Sequence, residues 1–244
     1  MAKQPHLLIE RGDINSTVLV PGDPGRVDRI ADHCDDSTVV AENREYRVVN
    51  ATYDGVDLTI CSTGIGAPSA AIAVEELVAV GAERFIRVGT CGGLQADLAI
   101  GDMIVATASA KDEGTTKRYE SETIPAAADH ETVGALVDAA AAEGAVIHTG
   151  AMVTDDAYYA ETETHVSRWS EAGLLAVEME AAAIFTLARR HGKAAGAICT
   201  VDGNLVAGEQ KGETEEEELP ERAKERVGRA IGIALEAAAD LERP

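Results

Sequence analysis

An alternation of β-rich and alanine-rich stretches constrains this chain more than any other feature. Strand signals fall at 17–20, 46–53, 56–63, 84–90, 103–109, 146–153, 174–178 and 194–201. Helix signals fall at 27–33, 69–80, 131–143, 163–172, 180–191 and from about 215 onward. Strands that alternate with helices pair largely in parallel and bury both sheet faces under helices, so the pattern predicts a mixed, largely parallel α/β sheet. The Asp54-Gly55 pair joins two of the β-rich runs and reads as a hairpin turn. Residues 111–129 have no period and read as an irregular connection. No internal repeat or linker interrupts the pattern, which predicts a single domain over 1–244. Hydrophobic residues make up 45% of the chain but aromatics only 3%, so small aliphatic side chains must do the packing.

The charge balance narrows the partners. The chain has 43 acidic and 21 basic residues, a formal net charge of −22. Such a field repels nucleic acid and anionic membranes. It suits a protein kept soluble at high salt, where screening weakens self-repulsion, and a halophilic cytoplasm is the expected source. A cation-binding acidic protein is the weaker alternative. The start of the chain lacks the apolar run of a signal peptide, and no stretch reaches 18 uninterrupted apolar residues, so a cytoplasmic location is expected. Cys34, Cys61, Cys91 and Cys199 are far apart and show no metal-ligand spacing, so no metal is expected and reduced, mostly buried thiols are.

Chemistry concentrates in a few places. Residues 85–93, Phe-Ile-Arg-Val-Gly-Thr-Cys-Gly-Gly, start as an apolar strand and end in glycines, with Arg87 inside the run. A buried guanidinium needs a partner, and bare backbone amides with the Thr90 hydroxyl beside it would form a cup for an anion. A structural ion pair for Arg87 is the equal alternative. Arg26 and Arg44 also stand beside turns, and Arg26 follows the Gly22 turn; arginine's fixed fork of donors suits phosphate. Each alone reads as well as a partner for a nearby carboxylate. Glu178 and Glu180 flank Met179 at a strand-to-helix junction, where Glu180 could accept from a vicinal diol or both glutamates could be N-terminal helix charges. Asp202, in Asp-Gly-Asn after an apolar strand, is either a proton donor to a leaving group or part of a turn. The acidic run Glu215–Glu218 reads as a solvated helix start, and His6 by itself reads as solvent-exposed.

Taken in order, these stretches resemble one family. Pro-Gly-Asp-Pro-Gly-Arg-Val at 21–27, Asn-Arg-Glu-Tyr at 43–46, Ser-Thr-Gly-Ile-Gly-Ala-Pro-Ser at 62–69, Arg-Val-Gly-Thr-Cys-Gly at 87–92, Val-Glu-Met-Glu at 177–180 and Cys-Thr-Val-Asp-Gly at 199–203 span nearly the whole chain. Together they resemble nucleoside phosphorylases of the branch holding uridine phosphorylases and hexameric purine nucleoside phosphorylases. The resemblance implies an α/β/α sandwich around a mixed, partly barrel-like sheet, assembled as a homo-hexamer, a trimer of dimers with active sites shared at the dimer interface. It implies reversible phosphorolysis of ribonucleosides with orthophosphate as co-substrate and no organic cofactor.

By the same resemblance, Gly22, Arg26, Arg87 and Thr90 would hold phosphate, and Arg44 would reach it from the neighbouring subunit. His6 would cap the ribose 5′-hydroxyl across that interface. Glu178, Met179 and Glu180 would line the ribose, with Glu180 binding its 2′- and 3′-hydroxyls. Tyr158 would stack on the base. Asp202 would supply a proton or hydrogen bond at a purine N7. Glu45, Ile65 and Ser69 match positions that hold K+ or Na+ in some relatives. Uridine phosphorylases read uracil with a Gln and an Arg after a Phe-Tyr pair; after Tyr158-Tyr159 this chain has Thr162 and Thr164 at those places, which favours purine nucleosides over uridine. The aspartate of hexameric purine enzymes follows a serine, so the register at Asp202 is shifted by about one residue. A hydrolytic nucleosidase needs no such set of arginines, and a non-catalytic sensor needs neither Glu180 nor Asp202. A dinucleotide-binding module is disfavoured because no Gly-x-Gly-x-x-Gly follows the first strand.

Overall fold

A computed structural model of the chain describes residues 3–208 and 218–243. In chain order the elements are β1 (Thr17–Leu19), α1 (Pro24–Ala31), β2 (Asp36–Asn43), β3 (Tyr46–Tyr53), β4 (Val56–Cys61), α2 (Ala67–Val80), β5 (Arg84–Gly93), β6 (Met103–Asp112), β7 (Ala126–Ala127), α3 (His130–Ala142), β8 (Ile147–Asp155), α4 (Glu163–Glu171), β9 (Ala176–Glu178), α5 (Ala181–Arg190), β10 (Ala194–Asn204) and α6 (Glu218–Glu242). The first three residues of the acidic run Glu215–Glu218, and with them the expected start of the last helix, lie outside the described residues.

The strands form one mixed sheet in the order β10-β6-β8-β9-β5-β1-β4-β3-β2, and β10 also pairs with β5. That extra pairing closes β5, β10, β6, β8 and β9 into a five-strand barrel, while β1, β4, β3 and β2 continue as an open wing. Helices α2 and α5 pack in one apolar cluster with Phe85 and Cys91. Helices α1, α3 and α6 pack in the other with Ile86 and Val88. The result is the α/β/α sandwich around a partly barrel-like sheet. Because strand side chains alternate, Arg87 shares the side of Phe85, facing α2 and α5.

Local chemistry explains the element ends. Asp23 Oδ1 accepts from Gly25 N at 2.9 Å and Pro24 opens α1, so that helix begins three residues before the expected 27. At the β3–β4 hairpin both Asp54 (φ 46°) and Gly55 (φ 74°) are left-handed, as a two-residue turn there requires. Strand β2 was not expected. It is an edge strand, mostly exposed, with no apolar alternation, and its turn to β3 at Arg44-Glu45 contains no glycine. The span 111–129 is largely irregular as expected, though β6 runs on to Asp112, one 3-10 turn forms at Thr116–Arg118, and β7 closes against β6. All four cysteines are free, and three are buried.

Candidate active site around Arg87

Strand β9 runs antiparallel to β5, with Gly92 opposite Val177, so the chain after Val177 turns back toward Arg87. Both glutamates of the Val-Glu-Met-Glu stretch then meet that arginine. Arg87 Nη2 lies 2.6 Å from Glu180 Oε2, and Arg87 Nε lies 2.9 Å from Glu178 Oε2. The Nε–H is not aimed at Glu178, so this second contact is an ion pair and not a hydrogen bond, and Nε is left without an acceptor. Gly89 makes room for this arrangement. A Cβ there would stand 2.9 Å from the guanidinium carbon of Arg87 and 3.0 Å from Cys199 Sγ.

The electrostatics follow from one cation among two buried anions. Burial opposes the charge of Arg87, but Glu180 and Glu178 outweigh it and raise its pKa, so the arginine stays charged. Burial raises the pKa of Glu180; Arg87 opposes that shift and Glu178 adds to it. Glu180 Oε1 also accepts from Gly66 N at 2.6 Å, at the start of α2. Glu178 has protein donors on both oxygens: Thr154 Oγ1 at 2.5 Å, Glu180 N at 2.8 Å and Ala181 N at 2.9 and 3.0 Å. Glu178 therefore caps α5, while Glu180, the residue before that helix, does not.

Arg26 stands in the first turns of α1 and donates from Nη1 to Val88 O at 3.2 Å. Burial, and then the charge of Arg87, lower its pKa. It makes no ion pair with a carboxylate among the described residues, and its buried Nε has no acceptor. Two guanidiniums thus lie near one another, and Arg26, unlike Arg87, has no carboxylate partner among the described residues. Thr90 is half-buried and sits opposite Thr200 of β10, whose buried hydroxyl has no hydrogen-bond partner among the described residues. Gly22 lies between β1 and α1; a Cβ there would come within 3.2 Å of Gly64 O, and Thr63 N donates to Pro21 O at 2.8 Å. The two glycine turns thus pack together next to β5.

Asp202 occupies a bulge. The β10–β5 ladder pairs Val201 with Cys91 and then Gly203 with Gly92, leaving Asp202 as the extra residue. A bulge re-aims the side chain of the residue it inserts. Asn204 pins the following loop by donating to Gln95 O at 3.0 Å and Leu98 O at 2.7 Å. Met179 is half-buried in the bend between β9 and α5, and Tyr158 lies in a 3-10 turn after β8, 46% exposed. Thr162 is exposed, and its Oγ1 accepts from His165 N at 3.4 Å and caps α4. Thr164 is exposed in the first turn of that helix.

A second group forms a ledge at the edge of the wing. His6 is not the free, exposed side chain that residue-level reasoning suggests. Its Nδ1 stands 2.6 Å from Glu76 Oε1, and Leu7 N donates to Glu76 Oε2 at 2.8 Å. Since a carboxylate accepts, Nδ1 carries the proton and Nε2 is left for another partner. Asn43 Nδ2 donates to His6 O at 2.8 Å, which staples the N-terminal segment to the β2–β3 turn bearing Arg44. Arg44 is exposed, with φ 56°. Among the described residues no hydrogen bond or ion pair ties His6 or Arg44 to Arg87 or Glu180. Next to this ledge, Ser69 Oγ donates to Thr63 O at 2.6 Å and lies 3.1 Å from Glu45 Oε1, with Ile65 78% exposed on the same turn. An open depression of about 630 Å³ also lies here, lined by His6, Pro68, Ile72, Glu75 and Tyr119. It does not contain Arg87 or Glu180, so volume alone does not locate the chemistry.

The sequence reading missed Ser109, Thr154, Glu76 and Thr200. Each is a common residue in an ordinary strand or helix, and only their convergence in space distinguishes them.

The chain is similar to known proteins over nearly its whole length. Residues 16–239 match the model of the phosphorylase superfamily. A guanosine phosphorylase from Halorubrum lacusprofundi is 63% identical over 99% of this chain and 100% of its own length. The crystal structure of a uridine phosphorylase from Vibrio fischeri superposes with a TM-score of 0.89 at 34% identity, covering 98% of both chains. That of a purine nucleoside phosphorylase from Toxoplasma gondii, in complex with immucillin-H, gives 0.90 at 31% identity over 99% of this chain and 97% of the other. On sequence and on fold, this chain belongs to the phosphorylase superfamily.

Proposed function

We propose that the protein is a nucleoside phosphorylase that splits purine ribonucleosides, guanosine foremost, with orthophosphate into free base and ribose 1-phosphate. The observation that carries this reading is a pair of neighbouring guanidiniums, the half-buried Arg26, which has no carboxylate partner among the described residues, and the buried Arg87, beside a carboxylate held at a helix start. Phosphate held by Arg26, Arg87, Thr90 and the Gly22 turn would attack C1′ as the glycosidic bond breaks. Positive charge builds on the sugar and negative charge on the base, so positioning and fixed charges supply most of the acceleration. Glu180 would accept from the 2′- and 3′-hydroxyls and Met179 would pack on the ring. Glu178, expected from the resemblance to line the ribose, has a wholly buried side chain and would act on the ribose site only through Arg87 and the Glu180 amide. Asp202 would give a proton or hydrogen bond to N7 as the base leaves, with Tyr158 stacked on it.

Arg44 and His6 would complete the site of a neighbouring subunit, since both sit on a ledge with no tie to their own chain's Arg87. A homo-hexamer built from such dimers fits that arrangement. K+ or Na+ would bind at Glu45, Ile65 and Ser69, where the Ser69 hydroxyl lies 3.1 Å from a Glu45 carboxylate oxygen, and no organic cofactor is needed. No helix among the described residues is long and apolar enough to cross a membrane. The net charge of −22 supports a cytoplasm rich in salt.

The purine preference is supported by the 63% identical relative named guanosine phosphorylase and by the engagement of Thr162 in capping α4. The test is base release from guanosine, inosine, adenosine and uridine, with and without phosphate, in molar KCl. Release that ignores phosphate overturns the phosphorylase reading, and uridine outpacing every purine overturns the base assignment.

A further inference from the structure

Behind Arg87 lies a chain of buried hydroxyls that the reaction does not use directly. Ser109 Oγ and Thr154 Oγ1 are 2.8 Å apart, and both residues are almost wholly buried. Thr154 Oγ1 is 2.5 Å from Glu178 Oε1 and accepts from Ala182 N at 2.9 Å. A threonine hydroxyl has one proton and two lone pairs. The carboxylate can only accept, so the Thr154 proton goes to Glu178. One lone pair takes the Ala182 amide, and the other must take the Ser109 proton. The direction is therefore fixed along the whole chain: Ser109 to Thr154 to Glu178, with Glu178 facing Arg87 Nε at 2.9 Å. The chain crosses β6, β8, β9 and β5, four of the five barrel strands. Residues 109 and 154 lie on paired strands, and Thr154 is directly opposite Glu178.

We infer that Thr154, backed by Ser109, is a positioning residue for phosphate. It locks the Glu178 carboxylate in the one orientation that sets the height and tilt of the Arg87 guanidinium. The inference rests on the reading that Arg87 binds phosphate. Without the Thr154 bond the Glu178 carboxylate would be held by the Glu180 and Ala181 amides alone and could tilt about its last torsion, and the Arg87 Nε ion-paired with it would shift while Nη2 stays with Glu180. Glu178 also caps α5, so its position is coupled to the helix that starts just after Glu180.

The test is steady-state phosphorolysis of guanosine by Thr154→Val, Thr154→Ser and Ser109→Ala, with phosphate and nucleoside varied separately and thermal melting measured alongside. Valine keeps the shape of threonine and loses the hydroxyl; serine keeps the hydroxyl. Thr154→Val is expected to raise KM for phosphate by about tenfold, with a much smaller change in KM for guanosine. Thr154→Ser is expected to restore it to within about threefold, and Ser109→Ala to fall between. A Thr154→Val enzyme with both KM values unchanged and only a lower melting temperature or active fraction would assign a purely structural role and overturn the inference. If that variant does not fold, an unchanged phosphate KM in Ser109→Ala overturns it. Failure of the parent reading is separate, because it would show as wild-type turnover that does not depend on phosphate at all.

Discussion

Arg87 Nη2 and Glu180 Oε2 stand 2.6 Å apart, so the arginine assigned to phosphate and the glutamate assigned to ribose already hold each other. On the proposed assignment, phosphate and ribose would meet a site in which one residue from each half is positioned by the other. Arg87→Ala removes the cation between two buried carboxylates. The expected cost is about 3–5 kcal/mol of stability, with phosphorolysis reduced more than about a thousandfold. Melting curves and guanosine turnover check this, and near-normal turnover would remove Arg87 from the mechanism.

Gly89→Ala tests the same guanidinium through the backbone. The new Cβ would press on Arg87 at 2.9 Å and on Cys199 Sγ at 3.0 Å. Arg87 is pinned by two carboxylates and cannot yield freely. A loss of about 2 kcal/mol is expected, and phosphate KM should rise by about tenfold. Unchanged phosphate kinetics would mean that the guanidinium can shift without consequence.

Glu180→Ala should erase the preference for a ribose with both hydroxyls. The ratio of kcat/KM for guanosine to that for 2′-deoxyguanosine is expected to fall by about tenfold, because the 3′-hydroxyl contact is lost for both nucleosides and the 2′-hydroxyl contact only for guanosine. A ratio that stays at the wild-type value would place the ribose contact elsewhere.

Asp202→Ala should lower kcat for guanosine by about a hundredfold if the residue assists the leaving base. 7-Methylguanosine carries its positive charge already and needs no such help, so the variant should cleave it at close to the wild-type rate. Equal losses on both nucleosides would show that Asp202 shapes the bulge and gives nothing to N7.

Glu161 provides a pH signature. Burial, and then the charge of Asp155, push its carboxyl up to about 7 from the ordinary 4.5. The folded state thus binds this proton more tightly than the unfolded chain does. Its contribution is full below the ordinary carboxyl range and is lost as pH rises through about 7. Glu161→Gln should match the wild type near pH 4.5 and melt higher by about 2 °C at pH 8, a small shift because the group is half-exposed. Parallel melting profiles from pH 4.5 to 8 would sink this account.

The sequence by itself determined the architecture and the cast of residues. The strand and helix periods gave the layers, Asp54-Gly55 marked one hairpin, and the glycine turns and arginines marked where an anion could sit. These are local signals, carried by backbone preference and by the spacing of apolar residues. Strand β2 escaped because an exposed edge strand needs no apolar face, and Arg44-Glu45 turns without a glycine. Tertiary structure alone decided how the cast divides its labour. Glu178 and Glu180 look equivalent at a spacing of two, yet the antiparallel pairing of β9 with β5 sends one to cap α5 and leaves the other at the helix start facing Gly66. His6 reads as a loose terminal residue until Glu76, 70 positions away, accepts a hydrogen bond from its ring. Thr154 and Ser109 carry no motif at all. Closing five strands into a barrel brings such distant polar groups within hydrogen-bond reach, and burial favours those that find a partner.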